Sequence, residues 1–337
     1  MADANLRRGA DYMADAHKYT KSGWFRKPEW DIAAQLYEKA ANAFKAARSH
    51  DNAIRAYQQS ADALAKFGSM FLAGKALENA GNLAQQSQDQ LRAIELYTRA
   101  SDLYIAHGSS PDKAAGIVEK AAQLCEPLDP DRALDLYKQS ANIYEAEDRE
   151  RMSIETLRNA AGCAVRHRRF PEALFFLGKL AKASRVLVRR SESDKAHLCI
   201  VIVALAMGDS VEARKRLDGW LFAGPEAAPS GGGMWGNVPA STGDVAPTPE
   251  AAVGQALVDA FEHWDAAQLQ EIRQDPRHAQ TLEFLPSEVA KLAHHMSISG
   301  VKAAENLPPT GTTTGAPAAA PAFPVSDPTP DDDDDLC

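Results

Sequence analysis

LYEKAANAF (36–44), AYQQSADAL (56–64), ALENAGNLA (76–84), LYTRASDLY (96–104), IVEKAAQLC (117–125), LYKQSANIY (136–144), TLRNAAGCA (156–164) and FLGKLAKAS (176–184) are versions of one pattern. The second residue of each is Tyr37, Tyr57, Leu77, Tyr97, Val118, Tyr137, Leu157 and Leu177, so successive spacings are 20, 20, 20, 21, 19, 20 and 20. Within the first unit Tyr37, Ala40, Ala41 and Phe44 fall at i, i+3, i+4 and i+7, one face of a 3.6-residue period. Each unit is therefore predicted to be a helix. The residue three places on is small in most units: Ala40, Ser60, Ala80, Ala100, Ala121, Ser140 and Ala160. Small side chains there let neighbouring helices approach closely. Two weaker units follow, starting at Leu198 and Leu217.

Turn residues separate the units: Ser49-His50-Asp51, Gly68-Ser69, Gly108 to Pro111, Asp129-Pro130 and Phe170-Pro171. Pro111, Pro130 and Pro171 suit the first turn of a helix. A single helix of this kind cannot bury its apolar stripe. Pairs make hairpins of about 40 residues, and stacked hairpins share a continuous core. The predicted fold is all-α: a tetratricopeptide-like helical-hairpin solenoid, with helices longer than the 34-residue repeat allows and without its Trp-x-x-Leu-Gly signature. The solenoid is expected over 1–222. Residues 223–250, with six Gly and five Pro, read as a flexible insertion. Residues 251–306 regain helical patterning at Val253, Leu257, Phe261, Trp264, Leu282, Leu285, Val289 and Leu292, and read as a C-terminal helical bundle. Residues 307–337 read as a disordered spacer and acidic tail.

Composition narrows the function. The longest apolar run, Leu198 to Met207, is too short to span a bilayer. The first residues lack the apolar core of a signal peptide, so a cytoplasmic chain is expected. Cys125, Cys163, Cys199 and Cys337 form no CxxC pair and no metal-ligand spacing, so they are expected to be reduced thiols and no metal is predicted. The net charge of -9 is uneven. Residues 307–337 hold six acidic residues and no Lys or Arg, whereas residues 149–216 hold fifteen Lys or Arg against seven Asp or Glu. Two differently charged protein partners fit that division better than nucleic acid. GSMFLAGKA (68–76) misses a phosphate loop: five residues separate its glycines where four are needed, and Ala76 stands where Ser or Thr binds magnesium. His294 and His295 are neighbours on different helix faces and read as surface or packing residues. No enzyme and no cofactor are predicted. The tyrosines Tyr37, Tyr57, Tyr97, Tyr104, Tyr137 and Tyr144 follow the buried period and read as core. Cys125, Cys163 and Cys199 lie on apolar faces and read as small buried hydrophobes.

Trp24 and Phe25 sit in a turn between a first helix (about 3–20) and one starting near Pro28, amid Lys18, Lys21, Arg26 and Lys27. Aromatic rings among cations suit an interfacial membrane contact. The alternative is that both rings tuck under the second helix.

KSGWFRKPEWDIAAQLYEKAANAFKAA (21–47) resembles the soluble NSF attachment proteins, the gamma type most closely. The likeness continues through DPDRALDLYKQSANIYEAEDR (129–149) and RHRRFPEAL (166–174) to about residue 222. It returns at the end, where an acidic run precedes the penultimate Leu336. The departures are the 223–250 insertion and the long 307–330 spacer.

The resemblance implies an adaptor. It would bind assembled SNARE four-helix bundles along the face of a twisted helical sheet and recruit and stimulate the AAA+ ATPase NSF. The hexameric NSF then disassembles the bundle in vesicle fusion. The absence of a heptad seam leans towards a monomer when free, and more than one copy could share a SNARE complex; peripheral membrane association and cytoplasmic localisation are expected. Trp24, Phe25, Arg26 and Lys27 would touch membrane. Arg158, Arg166, Arg168, Arg169, Lys179, Lys182, Arg189 and Arg190 would form a basic face against the acidic SNARE bundle. Asp331, Asp332, Asp333, Asp334 and Asp335 with Leu336 would engage the ATPase on a tether of roughly 25–30 Å. The rival reading is a tetratricopeptide-type adaptor for linear peptides, such as a chaperone cofactor, with Lys, Arg and Asn clustered on the inner face of two hairpins.

Overall fold

The computed structural model describes residues 1–21, 27–107, 110–222 and 248–298, and every regular element among them is an α-helix. A first helix, α1 (Ala2–Thr20), is followed by ten at the twenty-residue spacing: α2 (Trp30–Ala46), α3 (His50–Phe67), α4 (Met70–Gln86), α5 (Gln90–His107), α6 (Pro111–Cys125), α7 (Pro130–Ala146), α8 (Glu150–Arg166), α9 (Phe170–Val186), α10 (Arg190–Ala206) and α11 (Ser210–Phe222). The second helix begins at Trp30, two residues later than Pro28 suggested. Pro111, Pro130 and Pro171 occupy first-turn positions, where a missing N–H costs nothing.

Each helix packs on its sequence neighbours. The sequence-expected core is buried, including Tyr37, Tyr57, Tyr97, Tyr104, Tyr137, Tyr144, Cys125, Cys163 and Cys199. The small residues at the i+3 positions are buried too, from Ala40 to Ala160. Two of them are serines whose hydroxyls donate across the hairpin: Ser60 Oγ to the Ala34 carbonyl (3.1 Å) and Ser140 Oγ to the Ala115 carbonyl (3.0 Å). A buried hydroxyl is thereby satisfied without widening the helix contact.

Side-chain contacts between alternate helices sort the array into two layers. Arg92 reaches Asp51 (3.2 Å) and Arg99 reaches Asp62 (3.6 Å), linking α5 to α3. Lys120 reaches Glu78 (3.7 Å), linking α6 to α4. Glu119 accepts from Thr156 (2.6 Å) and Asn159 (3.0 Å), linking α6 to α8. One layer therefore holds α2, α4, α6, α8 and α10, and the other holds α3, α5, α7 and α9.

The turns repeat on the same beat. Arg48, Gly68, Gln88, Asp148, Arg168, Val188 and Gly208 all have positive φ. The following N–H reaches five residues back, as from Ser49 to Phe44 (2.9 Å), Arg169 to Ala164 (2.8 Å) and Arg189 to Ser184 (2.8 Å). This is a left-handed helix cap of the Schellman kind, which uses carbonyls the helix end would leave unpaired. Most of these positions are not glycine. Val188 is the most strained, since its Cβ is branched, its φ is +57° and it is 88% exposed. Val188→Gly is expected to stabilise the chain by about 0.5–1 kcal/mol, because relief of strain exceeds the extra entropy of an unfolded glycine. A urea midpoint unchanged or lowered by the substitution would refute this.

Four helices complete the described part: α12 (Pro249–Glu262), α13 (Ala266–Gln274), α14 (Pro276–Glu283) and α15 (Ser287–His295). They share one compact unit, Met1–Ile298, with the array. Helix α12 rests on α10 and α11, and α15 rests on α8 and α10. The guanidinium of Arg214 on α11 grips Glu262 of α12 by two bonds (2.9 and 2.7 Å) and also bonds Asp259. Val253, Leu257, Leu282, Leu285 and Val289 are buried as their spacing predicted. Trp264 is not. It lies past the end of α12 at φ +56° and is 47% exposed, because the helix ends at Glu262 and is capped by His263.

Candidate functional site

Of the aromatic loop, Trp24, Phe25 and Arg26 lie outside the described residues, and Lys27 is exposed. The helices on either side are held together. Tyr37 Oη and His17 Nδ1 are 3.0 Å apart, and Trp30 packs with the Ala16, Ala33 and Tyr37 cluster. Lys66 Nζ sits 4.4 Å from the centroid of the Trp30 ring. Trp30 is a packing residue. Lys18 is paired with Asp15 at 2.8 Å, and that hydrogen bond raises its pKa.

The eight cations expected on one face are divided by the two-layer architecture. Arg158 belongs to α8 and bonds Glu155 and, at 3.0 Å, Glu192 of α10. Lys179 and Lys182 belong to α9 in the other layer, where both reach Glu145 of α7 (2.5 and 3.5 Å). These bonds, the one from Lys179 foremost, hold the Glu145 carboxyl below its usual range. Arg158 and Lys179 thus sit on adjacent helices of opposite layers, whereas the expected basic face holds both. The reason is geometric: a step of twenty residues reverses the helix and changes layer, and only a step of about forty returns to the same one.

Arg166, Arg168 and Arg169 gather at the α8–α9 turn, one edge of the array. Arg166 is paired with Glu126 and lies 3.8 Å from Glu288 of α15, and Arg169 reaches Asp131 at 2.6 Å. Arg189 and Arg190 stand at the α9–α10 turn, the opposite edge. Arg168, Arg189 and Arg190 are exposed with no carboxylate partner among the described residues. Lys182 is also largely open, its side chain 74% exposed, since it shares one carboxylate with Lys179. The Glu288 side chain is only 18% exposed, with Arg166 and Lys291 over it.

Helices α2, α3 and α4 line two grooves that periodicity did not predict, the first of mixed lining and the second polar. One, of about 230 Å³, is lined by Gln35, Glu38, Lys75 and Asn79. Another, of about 250 Å³, is lined by Lys45, Asn79, Asn82 and Gln85. Both reach Tyr57, whose hydroxyl donates to Asn42 at 2.9 Å. The acidic run Asp331 to Asp335 and Leu336 lie outside the described residues.

Residues 7–225 match the family model described as soluble NSF attachment protein, SNAP, an interval that begins in α1 and ends just past α11. The chain is 27% identical to a gamma-soluble NSF attachment protein of Dictyostelium discoideum over 91% of this chain and 86% of that one. It is 30% identical to a gamma-soluble NSF attachment protein of Arabidopsis thaliana over 60% of this chain and 70% of that one. Among solved structures it is similar to the apo form of RapI, with 12% identity, 84% of this chain and 78% of that chain covered, and a TM-score of 0.40. With a family match that runs from within α1 past the end of α11, about two thirds of the chain, the chain belongs to the soluble NSF attachment protein family.

Proposed function

We propose that the chain is an adaptor that binds assembled SNARE bundles and recruits and stimulates NSF for their disassembly. The observation that carries this reading is the extent of the family match, which runs through the stacked array rather than touching a single repeat. The adaptor would work by electrostatics and shape, with ATP hydrolysis supplied by NSF. Cations on the array would attract an acidic bundle and speed its docking. The carboxylates Asp331 to Asp335 and the apolar Leu336 would engage the ATPase. Trp24, Phe25, Arg26 and Lys27 would add a weak membrane contact that matters once SNAREs hold the adaptor at the bilayer. Such contact is peripheral: no helix among the described residues is long and apolar enough to cross a membrane. In this reading the protein acts at the cytoplasmic side, several copies to a bundle.

The test is reconstitution. Purified protein, NSF, Mg-ATP and a pre-formed SNARE complex are mixed and bundle loss is followed. Disassembly should require the protein and ATP together, and removing Leu336 and Cys337 should lower NSF stimulation. No disassembly and no capture of NSF would reject the reading.

The two-layer geometry adds a sharper expectation. A rod lies against one layer at a time. Charge reversal in one layer (Lys120→Glu with Arg158→Glu) and in the other (Lys179→Glu with Lys182→Glu) should therefore differ. One pair is expected to weaken SNARE binding about 10-fold at physiological salt and the other to leave it within about 2-fold. Equal losses would mean that no single layer forms the face.

The grooves between α2 and α4 favour one second reading, in which a linear peptide lies among Lys45, Lys75, Asn79 and Asn82. It becomes the leading one if SNARE bundles do not bind.

A further inference from the structure

At the ends of α6 and α8, three chemically different donors converge. Glu126 caps α6, while Cys163 lies in the last turn of α8 and His167 caps it. One donor atom from each lies within 4.8 Å of the others. Cys163 and His167 are four residues apart, so they stack on one face of the helix end. Their spacing from Glu126, 37 and 41 residues, is that of neighbouring helices in one layer. We propose that Glu126, Cys163 and His167 form a binding site for a divalent transition metal, zinc(II) by the chemistry of its donors.

The donor set selects the metal class. A thiolate and an imidazole disfavour magnesium and calcium, which take oxygen ligands. Sulfur, nitrogen and carboxylate oxygen together suit zinc(II), and three protein ligands leave a fourth position for water. The two elements that carry the donors are already clasped. Glu119 accepts from Thr156 (2.6 Å) and Asn159 (3.0 Å), and Arg149 donates to Asp112 at 2.8 Å, each joining α6 to the start or middle of α8. A site on clasped helices is better defined than one on loops.

The surrounding groups have the arrangement of an outer shell. Arg166 holds Glu126 through one carboxylate oxygen, leaving the other free to ligate, and Glu288 lies beside the same guanidinium. Glu126 and Cys163 as anions balance the charge of a divalent ion, and Glu288 balances Arg166. Cys163 is fully buried while Glu126 and His167 are only half-buried, so the ion has a way in from the turn edge. Cys125 is buried one residue before Glu126, its Sγ 3.5 Å from the Asp129 carbonyl, and is outside the set. A bound ion would pin α6 to α8 directly beneath the contact with α15. This departs from the sequence expectation of no metal, which considered residues near one another in the chain and not donors on separate helices.

The test uses the full chain stripped of metal and titrated with cobalt(II). A thiolate-to-cobalt charge-transfer band should grow to one equivalent and be displaced by zinc(II). Cys163→Ser should abolish the band. His167→Ala and Glu126→Gln should each weaken binding roughly 10-fold or more. Cys337→Ser should leave the band intact, which separates the site from a thiol beside the acidic run Asp331 to Asp335. Zinc should raise the melting temperature of the wild type more than that of His167→Ala at the same zinc concentration. Should Cys163→Ser fail to fold, the half-buried His167→Ala and Glu126→Gln variants carry the decision. No charge-transfer band at equimolar cobalt, a band lost with Cys337→Ser, or unchanged affinity in both of those variants would overturn the proposal.

Discussion

Tyr97→Ala is expected to destabilise the protein by about 3–5 kcal/mol, the range for removing a large buried aromatic side chain. Tyr97 is 0% exposed and lies where α5 meets α4. A Cβ added to Gly81 would stand 2.6 Å from the Tyr97 ring, and one added to Gly74 would stand 3.0 Å from the Tyr104 ring. The two tyrosines are seven residues apart, and so are the two glycines. Antiparallel pairing therefore seats both rings on glycine, one at each end of the contact. The Tyr97 hydroxyl donates toward Asn82 (2.8 Å) and Gln85 (3.0 Å), and burial first and Glu78 second push its pKa up to about 12. No neighbour can fill the space the ring leaves, because its seat has no side chain. Gly81→Leu should destabilise from the other side by about 1–3 kcal/mol through overpacking. Urea unfolding of each variant measures both, and a loss under about 1 kcal/mol for Tyr97→Ala would contradict the packing argument.

The second large effect is with pH. His197 on α10 stacks on Trp220 of α11, with ring centroids 5.4 Å apart and planes 13° from parallel. Its Nε2 is buried with no hydrogen-bond partner. Burial first, and Arg185 second, push its pKa down to about 4. The unfolded state, with an ordinary histidine near 6.5, binds the proton more readily. Stability is therefore unaffected above about pH 6.5, falls as pH drops toward about 4, and levels off below it. A shift of this size corresponds to roughly 3 kcal/mol. Burial raises the pKa of Asp194, which accepts from Trp220 Nε1 at 3.2 Å, so its titration acts in the opposite sense. Asp259 and Glu262, held low by Arg214, lose stability as pH falls through their depressed values. His197→Phe keeps the stack and removes the titration. Urea midpoints measured from pH 7 to 4 should decline more steeply for wild type than for His197→Phe. Parallel declines would mean the imidazole is not the acid-sensitive group. Because α12 rests on α10 and α11, the acid-weakened region is the one that carries the C-terminal helices.

The candidate surfaces were less legible than the core. Arg158, Arg166, Lys179 and Lys182 could be picked out as cations, but a list of positions does not state which layer each occupies. Glu126, Cys163 and His167 left one local trace, the four-residue step from cysteine to histidine. The third donor is 37 residues before Cys163, and only helix packing supplies it. The grooves beside Tyr57 left no trace, since Asn79, Asn82 and Gln85 look like ordinary exposed helix residues.

The sequence by itself determined the helices, their twenty-residue beat, the buried tyrosines and cysteines, and the family resemblance. These follow from local rules: an apolar stripe at the helical period, small residues at one contact position and proline in the first turn all act within a few residues of chain. Tertiary structure alone decided the rest. It sorted alternate helices into layers and so divided the basic residues. It placed Arg48, Gln88, Asp148, Arg168 and Val188 in left-handed turns that carry no glycine signal. It also brought donors from α6 and α8 together. The physical reason is that the layers and the donor cluster join residues about forty positions apart, with energy from stacking one hairpin on the next, while the left-handed turns are local caps set where each helix must reverse.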